Sequence, residues 1–319
     1  MPSLDPPPTL VVRVQSIRYG THDTCLYELQ PADGRRLPPS RPGAHVALHL
    51  PSGCVRQYSL LHPDEAPGSY LIGVKRDAAS RGGSQYLHEQ LRVGQLLPME
   101  LPRNNFPLRE DAEHSLLLAG GIGITPLLCM WRRLKDLGRP VQLVYSCRTR
   151  RDALFLDTLE GQAGVVLRFD DEHGGAFLDI PSLLAGLPRQ AHVYCCGPAP
   201  MLKSFVSATS AWPAEQVHLE SFAPLQEASL SGGFMLKLAR SGRVVTVSAG
   251  QSVLEALRAS GVATASSCEE GICGACEVRV LGGVPDHRDS VLSPGEQDAN
   301  DRMMICCSGS KTPELVLDL

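Results

Sequence analysis

The first third of the chain carries six short apolar segments, each bounded by Gly, Pro, Asp or Ser. Segments of this length at close spacing are typical of β-strands joined by turns. We therefore expect an antiparallel β-barrel, interrupted by one helix over 82–91. The segments are LVVRVQSI, CLYELQ, HVALHL, RQYSL, YLIGVK and LLPMEL.

Residues 112–222 show a different pattern, in which continuous apolar strands alternate with helical stretches. Strands that are apolar on both faces belong to a parallel sheet covered by helices, so this part predicts an α/β domain. Its clearest helix covers 125–137. The strands are SLLLA, VQLVYS, VVLRF, HVYCC and VHLESF.

The rest of the chain begins with a stretch containing Pro, Ser and Gly, which predicts a linker. Two strands, a helix over 253–260, a cysteine-rich loop and two further strands follow, which predicts a small α+β domain of the β-grasp type. The chain is thus expected to have several domains. Their predicted limits are 1–110 for the barrel, 111–224 for the α/β domain, 225–233 for the linker and 234–319 for the α+β domain.

Composition narrows the class of protein. A net charge of −4 over 319 residues gives no electrostatic reason to expect nucleic-acid binding. The longest apolar run, 116–131, is shorter than a membrane span and contains three glycines and a proline. The N-terminus lacks the basic and apolar regions of a secretory signal. Eleven cysteines in a chain of this length fit a metal site in a reducing compartment, so the expected location is the cytoplasm.

The cysteines supply the strongest chemical signal. Cys268, Cys273 and Cys276 have the spacing C-x4-C-x2-C, and Cys306 follows 30 positions after Cys276. This is the plant-type ferredoxin pattern for a 2Fe-2S cluster held by four thiolates. Small residues between the cysteines, Gly271, Gly274 and Ala275, allow the loop to turn its N–H groups inward. A zinc site or a set of disulfides is the alternative, and the spacing favours the cluster.

Two motifs in the barrel predict a flavin site when they are taken together. Arg56-Gln57-Tyr58-Ser59 lies on one strand, where Arg56 and Tyr58 share a face and could meet a phosphate and an isoalloxazine ring. Arg81-Gly82-Gly83-Ser84 opens the predicted helix, where free N–H groups favour an anion. Taken singly, each motif is equally typical of a surface arginine or of a simple helix cap.

The α/β domain carries a candidate nucleotide site. Gly120-Gly121-Ile122-Gly123-Ile124-Thr125-Pro126 joins a strand to a helix, where glycines let a pyrophosphate approach the backbone. Cys196-Gly197-Pro198 ends another strand at the edge where such folds bind ligands, although Cys196 could equally be a buried core thiol. The dinucleotide remains open at this point. Arg148, Arg150 and Arg151 suit a 2′-phosphate, whereas Asp170 and Asp171 suit free ribose hydroxyls.

The motifs RQYS, RGGS, GGIGITP, YCCGP, HLESF and CEEGICGAC…MMICCS occur in the order that they have in the phthalate dioxygenase reductase family. The chain resembles that family, which includes the reductase of vanillate O-demethylase, over essentially its whole length. The resemblance implies an FMN-binding barrel, an NADH-binding domain and a C-terminal plant-type ferredoxin domain.

The resemblance also implies roles for individual residues. Arg56, Tyr58 and Ser59 would contact the flavin, while Gly82, Gly83 and Ser84 would contact its phosphate. Gly121, Thr125 and Cys196 would line the path of the nicotinamide and pyrophosphate, and Phe222 would lie near the flavin ring. Thr125, Cys196 and Phe222 are therefore the candidate catalytic residues. The family pattern makes Cys306 the fourth cluster ligand and leaves Cys307 as a packed thiol. It also includes 285–289, which could be a charged turn or a partner-docking segment.

The expected function is electron transfer from NADH through FMN and the 2Fe-2S cluster to a terminal Rieske oxygenase, because a flavin converts an electron pair into single electrons. The protein is expected to be monomeric and to act without nucleic acid or membrane. Two other classes stay open, a redox-sensing protein and a reductase for a diiron monooxygenase. The aromatic substrate is chosen by the oxygenase and is not encoded in this chain.

Overall fold

The computed structural model describes residues 9–62, 67–78 and 82–319. These residues form two compact units, one that ends at Glu220 and one that covers Ser221–Leu319. The first unit contains an antiparallel sheet and a parallel sheet, and the second contains a mixed sheet. None of the helices in these ranges is long and apolar enough to cross a membrane.

The antiparallel sheet has six strands in the order β4-β3-β6-β1-β2-β5. Leu60, directly after β4, forms a bridge with Ile72 of β5, and Leu61 N–H donates to Leu71 O at 3.0 Å. The two edge strands therefore meet, and the predicted barrel is confirmed. One helix, α1, interrupts it. The elements are β1 (Thr9–Thr21), β2 (Thr24–Pro31), β3 (His45–His49), β4 (Val55–Ser59), β5 (Tyr70–Lys75), α1 (Gly83–Glu89) and β6 (Leu96–Glu100).

Alternation along the barrel strands explains why they close around a core. On β1 the side chains of Val12 and Val14 are fully buried, and their neighbours Val11 and Arg13 are exposed. A strand presents successive side chains to opposite faces, so the alternating pattern places every second residue inside. Leu29, Leu48 and other interior residues complete this core.

The parallel sheet has five strands in the order β11-β10-β7-β8-β9. Counted from β7, this is the order 3-2-1-4-5, which is the doubly wound dinucleotide-binding order without its sixth strand, and the order reverses between β7 and β10. The strands are β7 (Ser115–Gly120), β8 (Val141–Cys147), β9 (Val165–Phe169), β10 (His192–Cys196) and β11 (Val217–Glu220). The helices are α2 (Ile124–Asp136), α3 (Leu156–Leu159), α4 (Ile180–Ala185) and α5 (Ala199–Ala208).

The barrel and the parallel sheet share a hydrophobic core. Leu26, Leu61 and Phe106 from the barrel region pack in one cluster with Leu117 and other residues of the parallel sheet. This shared burial explains why the first two predicted domains form one compact unit.

The second unit is a five-stranded sheet in the order β13-β12-β18-β14-β16. β12 and β18 are parallel and the other pairs are antiparallel, which with helix α6 gives the predicted β-grasp arrangement. Ser252 caps α6, because its Oγ accepts the Glu255 N–H at 3.2 Å. The elements are β12 (Phe234–Leu238), β13 (Val244–Val247), α6 (Val253–Ala259), β14 (Glu277–Gly282), β15 (Pro285–Asp286), α7 (Pro294–Ala299), β16 (Arg302–Met304), β17 (Gly309–Ser310) and β18 (Glu314–Leu317).

The stretch 225–233 belongs to this second unit and forms hydrogen bonds with the rest of it. Ser229 N–H donates to Cys307 O at 2.8 Å, and Gly250 N–H donates to Leu230 O at 2.8 Å. The Ser229 hydroxyl also donates to Asp286 at 2.8 Å. The end of the predicted linker is therefore held against the segment that follows Cys306.

Candidate cofactor sites

The two barrel motifs come together in space. A Cβ added to Gly83 would lie 2.7 Å from both Cγ and Nε of Arg56, so the arginine side chain crosses the bare glycine. Gly82 precedes α1 with φ of 95°, a left-handed conformation that favours glycine. The Ser84 hydroxyl accepts the Asp77 N–H at 3.1 Å. Arg81, the first residue of the second motif, lies outside the described residues.

Polar atoms on β4 are buried without a hydrogen-bond partner among the described residues. They are Nε2 of Gln57 and Oγ of Ser59. Burial raises the pKa of the neighbouring Tyr58 phenol above its usual range. An unsatisfied buried polar group costs free energy, so a donor and an acceptor without partners beside an aromatic ring suit a polar, planar ligand. The residues present therefore fit a flavin.

The two glycine loops of the parallel sheet pack against each other where the strand order reverses. A Cβ on Gly123 would lie 2.1 Å from the Cys196 carbonyl oxygen, and one on Gly120 would lie 3.1 Å from Gly197 Cα. Gly121 has φ of 53°. Only glycine permits so close a contact between the two loops. Their backbone groups therefore lie together at the carboxyl edge of the sheet, where such folds bind ligands.

Thr125 and Pro198 flank these loops. The Thr125 side chain is 2 % exposed, and its hydroxyl donates to Ile122 O at 3.0 Å. Its methyl group lies 3.0 Å from the position of a Cβ on Gly73 of β5, so Thr125 lies at the junction with the barrel. Pro198 packs on Gly120, with Cδ at 2.6 Å from the Cβ position.

Asp170, one of the two predicted ribose ligands, directly follows β9. Asp170 Oδ1 is buried and has no hydrogen-bond partner among the described residues. Arg150, from the basic cluster, forms ion pairs with Glu160 and Glu172, both at 2.8 Å. A guanidinium held by two carboxylates is poorly placed to bind a further phosphate, so the arrangement favours hydroxyl groups over a 2′-phosphate.

The four predicted cluster ligands lie in two contacting pairs, Cys268 with Cys273 and Cys276 with Cys306. No three His, Cys, Asp or Glu side chains converge as a site for one metal ion in the described ranges. Two pairs suit a cluster in which each of two irons takes two thiolates. Glu270 N–H donates to the Cys268 sulfur at 3.3 Å, and Ala275 N–H donates to Cys273 at 3.4 Å. Gly271 and Gly274 have φ of 70° and 73°, which confirms the expected glycine turns.

The adjacent cysteines Cys306 and Cys307 differ in their contacts. The Cys276 thiol donates to Cys306 and, together with a hydrogen bond from Cys307, lowers the pKa of Cys306 to about 4. Cys307 contacts Met304 O at 3.8 Å and Ser308 Oγ at 3.9 Å, and its sulfur lies 2.5 Å from the position of a Cβ on Gly271. Hydrogen bonding to Cys306 and burial raise the pKa of Cys307. Cys306 is thus the sulfur that faces Cys276.

Comparison with known proteins bears on the whole chain. Residues 236–310 match the sequence model of the 2Fe-2S iron-sulfur cluster binding domain. The chain is 50 % identical over 309 residues to phenoxybenzoate dioxygenase subunit beta of Ectopseudomonas oleovorans, covering 97 % of each protein. It is 44 % identical over 322 residues to tetrachlorobenzoquinone reductase of Sphingobium chlorophenolicum, covering 99 % of each.

Solved structures agree with these relatives. The structure of phthalate dioxygenase reductase, described as modular for electron transfer from pyridine nucleotides to [2Fe-2S], has a TM-score of 0.71, 36 % identity and 98 % coverage of both chains. The chain belongs to the phthalate dioxygenase reductase family. A type IV self-sufficient cytochrome P450 monooxygenase is also similar, with a TM-score of 0.88 and 39 % identity over 98 % of this chain. The reductase spans 41 % of that longer chain.

Membership of this reductase family makes the chain an oxidoreductase that uses a flavin, a nicotinamide dinucleotide and a 2Fe-2S cluster. It also confirms the three-part fold class predicted from the sequence. Phe222 lies after β11, in the second compact unit, and its side chain is 41 % exposed. The other nucleotide-site residues lie in the first unit.

Sequence reasoning missed Glu220, which pairs in register with Cys196 across β10 and β11. Its Oε2 is buried without a hydrogen-bond partner among the described residues, and burial raises its pKa to about 8. Burial also raises the pKa of the Cys196 thiol well above its usual range, with a contribution from Glu220. A protonated carboxyl thus lies beside the predicted nicotinamide site. An acidic residue near the end of the apolar strand VHLESF is the signal that could have found it.

Proposed function

We propose that the chain is the NADH-dependent reductase component of a two-component Rieske oxygenase system that hydroxylates or O-demethylates aromatic compounds. The observation that carries this proposal is the presence of three fitted sites in one chain: a barrel strand with two buried polar atoms that lack partners among the described residues, paired glycine loops, and two pairs of thiols. Similarity along 97 % of the chain to a dioxygenase subunit supports an oxygenase partner.

The flavin is FMN in this proposal. Arg56, with Gly82, Gly83 and Ser84, would hold its terminal phosphate, because the guanidinium lies directly over the glycine turn. Gln57 and Ser59 would contact the ring through polar atoms that have no partner among the described residues. Tyr58, between them on β4, would contact the ring as well. When bound, a flavin accepts electrons from NADH as a pair and passes them on singly.

The dinucleotide is NADH rather than NADPH in this proposal. Asp170 would accept hydrogen bonds from a ribose through its unpartnered Oδ1, and Arg150 is engaged by two carboxylates. Gly120, Gly121, Gly123, Gly197 and Pro198 would form the backbone surface for the pyrophosphate. Thr125 and Cys196 would position the nicotinamide against the flavin.

Cys268, Cys273, Cys276 and Cys306 would hold the 2Fe-2S cluster, one contacting pair for each iron. Plant-type clusters lie near about −400 mV and Rieske centres upward of about −150 mV. A gap of about 250 mV corresponds to roughly four decades in a one-electron equilibrium. Transfer from this cluster to a Rieske centre is therefore favourable.

The full chain, purified and loaded with its cofactors, can be tested with NADH and a purified Rieske oxygenase. We expect NADH to bleach the Rieske centre through the wild-type chain and not through Cys273→Ser. The same variant should still reduce ferricyanide with NADH, because that acceptor takes electrons from the flavin. Equal loss of both activities in Cys273→Ser would contradict the order flavin, then cluster.

Direct reduction of a quinone is a second candidate, favoured by 44 % identity to a tetrachlorobenzoquinone reductase. Tetrachlorobenzoquinone is the probe. A chain that reduces this quinone rapidly with NADH but leaves the Rieske centre oxidised would replace the first proposal with the second.

We further propose that the protein works as a monomer in the cytoplasm. None of the eleven cysteines, each within the described ranges, forms a disulfide, as expected in a reducing compartment. Its mass by size-exclusion chromatography with light scattering tests the monomer. A mass of twice 34.4 kDa would contradict it.

A further inference from the structure

The aromatic ring of Phe177 lies on the surface of the loop that joins β9 to α4. Its side chain is 78 % exposed, and no other large apolar side chain in residues 167–205, all of which the structure describes, is exposed. The six residues before it, 171–176, are charged, polar or small, and all are exposed. A docking surface for a protein needs a contiguous apolar patch. A single exposed ring instead suits one planar ligand that can cover it.

The backbone that carries this ring is held by hydrogen bonds. Nη2 of Arg168, on β9, donates to the carbonyl oxygens of Ala176 and Phe177 at 2.7 and 3.1 Å. Gly175 N–H donates to Asp170 O at 2.8 Å. The main chain therefore presents the ring in one arrangement, so a ligand that stacks on it orders little else.

The same loop connects Phe177 to the proposed ribose site. Asp170 begins the loop directly after β9, and its buried Oδ1 has no hydrogen-bond partner among the described residues. In dinucleotide-binding folds an acidic residue of this kind bonds the ribose of the adenosine half. Adenine is attached to that ribose, so the base must lie close to Asp170. The Gly175 hydrogen bond returns the loop to Asp170 two residues before Phe177.

Phe177 differs from Phe169, the other phenylalanine of this region, in its surroundings. The Phe169 side chain is buried, and the guanidinium carbon of Arg150 lies 4.8 Å from the centroid of its ring. Phe177 has neither an aromatic nor a cationic partner for its ring among the described residues. Its ring is therefore open to a ligand.

We propose that Phe177 is a binding residue for NADH whose ring stacks on the adenine base, beside the ribose that Asp170 bonds. This role rests on the proposed NADH site. Removal of an aromatic side chain that stacks on a base weakens binding by about tenfold. Thr125 and Cys196, the proposed nicotinamide residues, serve the other half of the dinucleotide. Phe177 should therefore affect binding of the adenosine half and leave hydride transfer unchanged.

The first experiment compares two electron donors to ferricyanide through the cofactor-loaded full chain: NADH and reduced nicotinamide mononucleotide, which lacks the adenosine half. In Phe177→Ala we expect KM for NADH to rise about tenfold with kcat unchanged, and KM for the mononucleotide to equal that of the wild type. Phe177→Tyr keeps an aromatic ring and should retain the wild-type KM for NADH. Val166→Ala is the matched control and should behave as the wild type, because Val166 is an exposed apolar residue near the start of β9.

The second experiment is a calorimetric titration of the full chain with ADP-ribose, which contains the adenosine half and no nicotinamide. We expect Kd for ADP-ribose to be about tenfold higher in Phe177→Ala than in the wild type, and unchanged in Phe177→Tyr. No turnover is measured, so this result does not depend on electron transfer.

A wild-type KM for NADH in Phe177→Ala would overturn the stacking role, and so would equal increases in KM for NADH and for the mononucleotide. Equal Kd values of ADP-ribose for Phe177→Ala and the wild type would overturn it as well. A wild-type chain that oxidises neither donor would instead contradict the proposed function. The two failures are distinguishable because ADP-ribose binding is measured without electron transfer.

Discussion

The side chain of Arg56 lies across the backbone of Gly83, so that a Cβ on the glycine would lie 2.7 Å from Cγ and Nε of the arginine. The two residues come from different elements, β4 and the start of α1. Neither motif alone distinguishes a phosphate site from an ordinary surface. Their contact places a guanidinium over a turn of backbone N–H groups, an arrangement that suits a phosphate.

The variants Arg56→Ala and Gly83→Ala test this contact from its two sides. Arg56→Ala removes the positive charge, and the new methyl group of Gly83→Ala would push the Arg56 side chain away from the turn. Both variants should therefore release flavin more readily than the wild type. A hydrogen bond to a charged group contributes about 1.5–3 kcal/mol, which corresponds to roughly ten- to hundredfold weaker binding. The measurement is the ratio of flavin to protein after dialysis.

Gly68→Ala is the control for this pair, because nothing lies within 4 Å of a Cβ at Gly68 and its backbone is not left-handed. It should retain flavin fully. Full flavin occupancy of Arg56→Ala after dialysis would show that Arg56 does not bind the flavin phosphate.

The close approach of Gly123 to Cys196 predicts that Gly123→Ala lowers both NADH turnover and stability. In Gly123→Ala the new methyl group would lie 2.1 Å from the Cys196 carbonyl oxygen, so the two loops must separate. We expect kcat/KM for NADH with ferricyanide to fall at least about tenfold, with a loss of stability of about 1–3 kcal/mol. Gly186→Ala, which meets nothing within 4 Å, should leave both unchanged. Wild-type NADH kinetics in Gly123→Ala would show that the loop junction is not the nucleotide site.

The neighbouring cysteines give a paired test of ligand identity. Cys306→Ser should lose or strongly alter the visible and EPR spectra of the cluster, because Cys306 faces Cys276. Cys307→Ser should keep a four-thiolate spectrum, because the side chain that hydrogen-bonds to Cys276 is that of Cys306. Iron content measured beside the spectra separates a lost cluster from an altered one. If Cys307→Ser lost the cluster spectrum and Cys306→Ser kept it, Cys307 would be the fourth ligand instead of Cys306.

The sequence predicted the features that depend on local spacing. Six apolar segments bounded by turn residues correspond to the six barrel strands. The C-x4-C-x2-C spacing similarly required small residues in the cysteine loop, and two of these, Gly271 and Gly274, adopt left-handed conformations. The short elements β15, β16, β17 and α7 escaped prediction, since two to six residues carry too little periodicity.

Features that depend on distant neighbours could not be predicted. Glu220 is one acidic residue near the end of a strand, and only the packing of β10 and α2 shows that its carboxyl is buried. Arg150 is a cation in sequence, and its two carboxylate partners come from 10 and 22 residues away.

The adjacent acidic residues Asp170 and Asp171 should differ in how strongly their substitution affects the use of NADH. Asp170→Asn should lower kcat/KM for NADH about tenfold, because the buried Oδ1 loses its charge as an acceptor for ribose. The preference for NADH over NADPH should narrow as well, since a negative charge near the 2′ position is removed. Asp171 is exposed, so Asp171→Asn is the control and should behave as the wild type. Equal effects of the two substitutions would refute a specific role for Asp170.

The carboxyl group of Glu220 predicts a pH dependence of stability with a definite sign. Burial raises its pKa from 4.5 to about 8, so the folded chain holds a proton that the unfolded chain releases above pH 4.5. Its contribution to stability is therefore fully present below the unfolded pKa and is lost as pH rises through the folded pKa. The loss amounts to at most about 1.4 kcal/mol per pH unit between these two values. Glu220→Gln cannot ionise, so its Tm relative to the wild type should rise steadily from about pH 5 to pH 8. Glu215→Gln, at an exposed glutamate in the same unit, is the control, and its difference in Tm from the wild type should not change with pH. If the difference in Tm for Glu220→Gln were also constant with pH, the Glu220 carboxyl would already be ionised in the folded protein.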